Sequence, residues 1–262
     1  MAYVALTIAG SDPSGGAGLQ ADLKTFHQFG VYGEAVVTLI TVQNTRGVKR
    51  VETLDPGLVA EQIEAVIADI PPQAAKTGAL GNAGIIEAVA QAAQGFDFPL
   101  VVDPVMLSKN GARLLEKEAL TGLIERLIPR AFLLMPNLAE AAALAGTPVE
   151  DLNAMRTAAK RLRELGASNI LIKGGHLRGD PIDLLYAAAG DFEEFPGPRI
   201  DTRHTHGTGC TYSAAITAEL AKGTALRDAI GRAKRYVTEA LRTSPGFGSG
   251  AGPLNHHADI SS

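Results

Sequence analysis

The 262-residue chain has a net charge of −4, 46% apolar residues, one cysteine and no tryptophan. Slight acidity and scarce aromatic rings exclude a general nucleic-acid binder, which needs a basic stripe or a base-stacking platform. A lone cysteine excludes an internal disulfide framework and gives no sign of an oxidising compartment.

The opening MAYVALTIAGS lacks a basic leader region, and its apolar run is short for a signal peptide. No later window offers the roughly 18 apolar residues of a membrane span, so a soluble, cytoplasmic protein is expected. Strand-like runs are then read at Val4–Ala9, Ala35–Val42, Ala74–Thr77, Leu100–Asp103, Ala131–Met135, Asn169–Lys173 and Asp183–Ala187. Helical patterns lie at Ala17–Phe29, Pro56–Ile70, Ala83–Gln94, Leu114–Leu127, Asn137–Ala145, Asp151–Leu165, Thr211–Ala221 and Ala225–Arg242. Alternating strands and helices predict βαβ units and a mainly parallel sheet covered on both faces. The near-continuous apolar runs PLVVD and NILIK fit strands buried on both sides. With no repeat or linker-like composition shift, residues 1–262 read as one three-layer α/β domain. The tail after Ser244 is expected to be loop-rich, with mobile final residues and His256-His257 as a polar pair.

In an open parallel sheet, ligands bind outside the carboxyl ends of the strands. Those ends carry Gly10-Ser11-Asp12, Gln43-Asn44-Thr45, Lys76-Thr77-Gly78, Asp103-Pro104, Pro136-Asn137 with Glu140 one turn on, and Lys173-Gly174-Gly175-His176. Any one of these is explained by polar loops and helix capping. The recurrence of lysine, carboxylate and amide beside glycine along one edge points to a cleft for a polar, anionic ligand.

Two glycine-rich helix entrances sharpen this reading. Gly10–Gly18 follows the first strand but matches neither a Walker A loop nor a dinucleotide fingerprint, so a tight turn explains it equally well. Asp22, on the next helix, is read either as a first-turn acid favoured by the dipole or as a partner for a ligand amine. The second entrance, Gly207-Thr208-Gly209, lets backbone N–H groups converge where a helix begins, which makes an anion site. Cys210 stands at that positive end, where a thiolate is favoured, although a cysteine is also a common small core residue. Two chemistries stay open: a covalent nucleophile with His204 or His206 as base, or a base for a substrate hydroxyl beside a transferring phosphoryl group. A metal site on His204, His206 and Cys210 lacks a recognised ligand spacing.

Taken together, ALTIAGSDPSGGAGLQADLKTF, TVQNTRGV, AAKTGALGN, VVDPVMLSKNG, MPNLAEAAAL, IKGGH, THGTGCTYSAA and GAGPLNH resemble the ribokinase-like superfamily. Within it, the chain resembles the hydroxymethylpyrimidine/phosphomethylpyrimidine kinases of thiamine biosynthesis, over essentially its whole length. The resemblance implies a three-layer ribokinase-like fold, a homodimer, and ATP- and Mg²⁺-dependent phosphorylation of 4-amino-5-hydroxymethyl-2-methylpyrimidine and then of its monophosphate. It makes Cys210 the base for the hydroxymethyl group, where the superfamily usually has aspartate, and gives Gly207, Thr208 and Gly209 the anion-hole amides. Asn137 and Glu140 would organise Mg²⁺ and the phosphates, Glu140 through an indirect contact, with Asp103 and Lys173 beside them. Ala17, Asp22, Gln43 and Val105 would face the pyrimidine, Gln43 standing where some relatives have glutamate. Ser108–Gly111 and the segment around Gly179-Asp180 are the candidate closing loops. A pyridoxal kinase of the same fold is the nearest alternative, and a cysteine-nucleophile hydrolase a distant one.

Overall fold

The computed structural model of the protein describes residues 2–108 and 111–260. Of the candidate closing loop Ser108–Gly111, Lys109 and Asn110 therefore lie outside the described residues, as do the final two residues of the tail.

Nine strands form one sheet among the described residues: β1 (Tyr3–Ser11), β2 (Val31–Asn44), β3 (Gly47–Thr53), β4 (Ala74–Thr77), β5 (Leu100–Val102), β6 (Leu133–Leu134), β7 (Asn169–Ile172), β8 (Ile182–Tyr186) and β9 (Phe192–Pro196). Their order is β3-β2-β1-β4-β5-β6-β7-β8-β9. The stretch from β2 to β7 is parallel throughout, and antiparallel pairs at β2–β3, β7–β8 and β8–β9 finish the edges. The helices are α1 (Gly18–Gln28), α2 (Pro56–Asp69), α3 (Ala83–Ala92), α4 (Ala119–Gly122), α5 (Leu138–Ala145), α6 (Leu152–Glu164), α7 (Thr208–Ala221) and α8 (Leu226–Arg242).

β5 is apolar at every position and β7 at all but its first, because both faces are covered. Leu100 and Val102 of β5, with Ile170 and Ile172 of β7, join the core under α2, α3, α5 and α6. Val101 and Leu171, the alternate residues, join the second core under α1, α7 and α8. Period-two alternation thus feeds two hydrophobic layers, and a polar residue mid-strand would be buried on either side. Side-chain caps start several helices: Asp55 for α2, Asn82 for α3, Asn137 for α5 and Asp151 for α6. No side chain caps α1 or α7.

Several elements differ from the sequence expectation. β2 begins at Val31 and turns back through Thr45-Arg46 into β3, which no apolar run announces: Lys49, Arg50 and Glu52 are exposed. The edge strand β9 is likewise written with Glu193 and Glu194, and Arg227 and Arg156 pair with it. Edge strands wet on one side carry charges in place of an apolar run. The single helix expected over Leu114–Leu127 is broken up. Leu114 and Glu116 donate their N–H groups to Met106 and Gly81, so helix starts only at Ala119, and a π-turn and a 3₁₀ turn complete the segment.

The tail after Ser244 is loop-rich, as expected, but it is packed. Leu254 and Ala258 belong to the core under α7 and α8, and Asn255 N–H donates to Ala240. His256 is no surface residue: it is 7% exposed, with Nε2 3.1 Å from Thr211 Oγ1. Burial, first, and Lys24 push its imidazole down to about 4, so it is neutral at physiological pH.

Glu34 on β2 is buried beside Leu6 of β1, with Oε2 unpartnered. Burial, reinforced by Asp69, pushes its carboxyl from 4.5 up to about 7. Between those two values the folded chain holds a proton that the unfolded chain has lost, so stability falls as pH rises through that window. Glu34→Gln should raise the midpoint of thermal unfolding more at pH 8 than at pH 5. Equal gains at both values would show that Glu34 titrates normally.

Candidate active site

Every parallel strand ends at the same edge, and the polar residues found at those ends converge there. Asp12, just past β1, is the hub. It is 2% exposed and accepts bonds from Ser14 N–H and Oγ at 2.8 and 2.7 Å, from Gly16 and Ala17 N–H at 3.2 and 2.9 Å, and faces His206 Nε2 at 2.8 Å. Burial works against its ionisation, yet bonds from His206, Ser14 and Gln43 overcome it and hold the carboxyl far below the usual range. Asp12 therefore shapes the whole loop Gly10–Gly18, sets Ala17 as the extended residue before α1, and turns Gln43 toward the loop. The sequence reading placed Asp12 at a strand end without a role; the Asp-x-Ser spacing of an Asx-turn was the signal available.

Asp22 is neither in the first turn of α1 nor open to solvent. Its Oδ2 accepts Thr7 Oγ1 at 2.7 Å and Lys76 Nζ at 2.7 Å, both ionic side chains are 0% exposed, and Oδ1 has no partner. Burial disfavours the Lys76 ammonium, but Asp22, Cys210 and Asp103 outweigh it and keep the group charged. Burial also pushes the Asp22 carboxyl up, against Lys76 and Thr7. Removing one partner of such a pair strands a buried charge, a loss of about 3–5 kcal/mol.

α7 begins three residues earlier than expected, at Thr208, so Gly209 and Cys210 lie in its first turn. Gly207 precedes it at φ +83°, and a Cβ there would sit 1.8 Å from Gly16 O. The α7 entrance can thus lie against the first glycine loop only with glycine at this position. A Cβ on Gly209 would come 3.5 Å from Lys173 Nζ and 3.7 Å from Asp103 Oδ2, so the amide edge of α7 faces that ion pair. The N-terminal amides of an uncapped helix beside a lysine are groups suited to an anion.

Cys210 departs from the expectation of a thiolate. Burial, first, pushes its thiol up to about 11, with Asp22 and Asp103 adding to the effect; Lys76 and the Gly18 N–H pull the other way. Desolvation outweighs the helix end. His206, one of the two histidines considered as its base, is engaged by Asp12.

Across from α7, Lys173 Nζ lies 2.7 Å from Asp103 Oδ1, and Ser213 Oγ approaches Oδ2 at 3.4 Å. Asn137 and Glu140 form a reciprocal capping box: Asn137 Oδ1 accepts Glu140 N–H at 2.9 Å, and Glu140 Oε2 accepts Asn137 N–H at 2.8 Å. Burial, with Asp103 adding and Lys173 opposing, pushes the Glu140 carboxyl up to about 7. Val105 follows Asp103 in a tight turn, its N–H bonded to Asp103 O at 2.9 Å, and is half-buried. The other candidate closing segment is held by Arg199, whose guanidinium donates to the carbonyls of Gly175, Leu177 and Gly179.

Asp103 and Glu140 offer hard oxygen donors but are already bonded to protein groups. Among the described residues no cluster of three or more acidic, histidine or cysteine side chains could cage a metal. The set fits a Mg²⁺ that keeps its waters and arrives on phosphate oxygens, with Glu140 reached through water.

Gly207→Ala forces the α7 entrance off the glycine loop and should lower activity by about 10²–10³-fold, the cost of losing an anion-hole donor. Steady-state kinetics with far-UV circular dichroism checks this; a folded variant of normal activity would contradict it.

Residues 12–255 match the family described as phosphomethylpyrimidine kinase. A hydroxymethylpyrimidine/phosphomethylpyrimidine kinase of Bacillus subtilis (strain 168) is 46% identical over 259 residues, covering 98% of this chain and 95% of that one. The thiamine biosynthesis bifunctional protein ThiED of Geobacter sulfurreducens is 50% identical over 253 residues, 96% of this chain, which spans about half that relative's length, 51%. Among solved structures, an ADP complex of Bacillus subtilis pyridoxal kinase superposes with a TM-score of 0.90 at 38% identity, covering 98% of each chain. An edge of strand ends carrying a glycine loop, an uncapped helix and paired charges, matched nearly end to end at this identity, shows that the chain belongs to the phosphomethylpyrimidine kinase family.

Proposed function

We infer that the protein is an ATP-dependent phosphotransferase that phosphorylates 4-amino-5-hydroxymethyl-2-methylpyrimidine and then its monophosphate to the diphosphate, in thiamine biosynthesis. The observation that carries the chemistry is the uncapped α7 entrance facing Lys173 and Asp103 across one narrow edge. The amides of Gly207, Thr208 and Gly209 and the Lys173 ammonium take the transferring phosphoryl group. Asp103 holds Lys173 in place, and the Asn137–Glu140 box fixes the start of α5 beside it. Asp103 and Glu140 would hold a hydrated Mg²⁺ there, which would supply charge neutralisation for the phosphates. The pyrimidine lies over the first glycine loop, against Ala17, Gln43 and Val105, with Asp22 buried behind the loop and not open to it. Most of the barrier reduction comes from alignment and charge neutralisation.

Cys210 takes the proton of the substrate hydroxyl in this reading. Its support is position: the first turn of the helix whose amides hold the phosphoryl group. The whole chain, 1–262, works as one kinase domain and, as an ATP consumer, in the cytoplasm. No helix among the described residues is long and apolar enough to cross a membrane. The chain pairs as a homodimer through the β2–β3 hairpin, where Ile40 and Val42 stand 48% and 51% exposed; sedimentation equilibrium tests this.

A second reading, pyridoxal kinase, is favoured by the backbone match to the pyridoxal kinase above. Incubation with ATP·Mg²⁺ and either acceptor, followed by mass spectrometry, separates the two. Mono- and diphosphorylated pyrimidine at the higher kcat/KM supports the pyrimidine assignment, and pyridoxal phosphate as the preferred product reverses it.

The base role has its own test. A thiol at about 11 is mostly protonated at neutral pH, so kcat/KM should climb about tenfold per pH unit through the neutral range. Cys210→Asp, ionised far lower, should flatten that profile, while Cys210→Ala should slow the chemical step by about 10²–10⁴-fold with ATP still bound. A wild-type chemical step in the alanine variant in single-turnover kinetics would remove Cys210 from the base role.

A further inference from the structure

Lys76 is the most thoroughly buried charge at the strand edge, and the transfer described above gives it no task. It is the penultimate residue of β4, is 0% exposed, and pairs with Asp22 Oδ2 at 2.7 Å. A lysine is not needed there for packing: the strand runs between two apolar layers, and a buried ion pair of this kind contributes little to net stability compared with apolar groups of the same shape. α7 packs directly on β4 and on α1, which brings Cys210 to the same place.

The charged groups that face the thiol can be taken element by element. Asp22 comes from α1, Lys76 from β4, Asp103 from the end of β5 and Lys173 from the end of β7, with the Gly18 N–H pointing at the sulfur. Asp103 and Lys173 neutralise each other at 2.7 Å. That leaves one ammonium, Lys76, and two groups able to carry the balancing negative charge, the Asp22 carboxyl and the Cys210 thiol. The Lys76–Asp22 pair is fully shielded from bulk solvent, so the site favours one anion per cation.

We propose that Lys76 is a positioning residue for the phosphoryl transfer: its buried ammonium is the counter-charge of the Cys210 thiolate, and Asp22 competes with the thiolate for it. While Asp22 holds the ammonium, the thiol keeps its proton. When the Asp22 charge is withdrawn, the thiolate takes its place. In the transfer itself, the thiolate accepts the hydroxyl proton as the acceptor oxygen bonds to the γ-phosphorus and the bond to the ADP oxygen breaks. ADP leaves, and the thiol returns its proton to water. The proposal rests on the reading of Cys210 as base.

The test uses the fact that Cys210 is the only cysteine in the chain. It is half-buried, so iodoacetamide can reach it, and alkylation followed by intact-mass spectrometry reports on this thiol alone. Rates are measured from pH 7 to 10.5 for wild type, Lys76→Met, Lys76→Arg and Asp22→Asn, with circular dichroism to confirm folding. At pH 9, Lys76→Met should alkylate at least about tenfold more slowly than wild type, and Asp22→Asn at least about tenfold faster, each a shift of one unit or more. Lys76→Arg, which keeps the charge, should stay nearer wild type than Lys76→Met does. Opposite signs cannot come from mere loosening of the site, which would expose the thiol and speed both variants. Changes of the same sign, or no change, overturn the proposal. If Lys76→Met does not fold, the pH dependence of Asp22→Asn decides: a gain that shrinks toward pH 10.5 supports the proposal, and a gain equal at every pH, or none, overturns it. Because alkylation follows the thiol and not turnover, failure of the base role shows separately, in the single-turnover kinetics of Cys210→Ala.

Discussion

Asp12 joins two parts of the chain that would otherwise only lie near one another. Its two carboxylate oxygens take up the turn of the first glycine loop and the ring of His206, the residue just before the α7 entrance. The loop proposed to face the pyrimidine and the helix proposed to face the phosphates therefore share one anchor. Gly207 supplies the steric half of that junction, since its Cα meets Gly16 with no room for a side chain. A carboxylate with this many charge-assisted and backbone bonds is a rigid node, and each neighbouring group inherits its position from it.

Around this node, charges come in close opposite pairs and not in a patch of one sign. Lys173 with Asp103 and Lys76 with Asp22 each lie at 2.7 Å. Such pairing holds lysines at a dry strand edge where each alone would tend to lose its proton. In the proposed transfer, a triphosphate meets amides and an ammonium that is already oriented, so little reorganisation is left for the moment of reaction. The same burial raises the Cys210 thiol, which makes its thiolate a stronger base and less populated than a helix-end argument by itself implies.

Much of this was legible in the sequence, for definite reasons. Strands such as LVV and NILI are buried on both faces, and their composition says so. The strand-end polar residues were found because a parallel sheet sends all its functional ends to one edge. What escaped were features whose cause is distant in the chain. β3 and β9 are edge strands, and one wet side removes the apolar signal. The Leu114–Leu127 pattern is apolar at helical spacing, yet Gly81 and Met106 claim its first amides. Asn137 and Glu140, read from the sequence for metal and phosphate, form a helix cap in the structure. The burial of Asp22 and His256, and the engagement of His206 by Asp12, depend on partners from 15 to 194 residues away that no local pattern announces.

That last separation bears on how the protein is made. Asp12 and His206 are 194 residues apart, and His206 N–H is in turn held by Gly252, near the end of the chain. A ribosome adds about 5–20 residues each second, so the glycine loop emerges roughly 10–40 s before its partner histidine does. During that interval β1 can pair with β2 and bury its apolar faces, while the Asp12 carboxylate has only its own loop to satisfy it. The phosphate-facing edge is therefore the last part of the molecule to close, and a nascent chain is a folded sheet before it is a kinase.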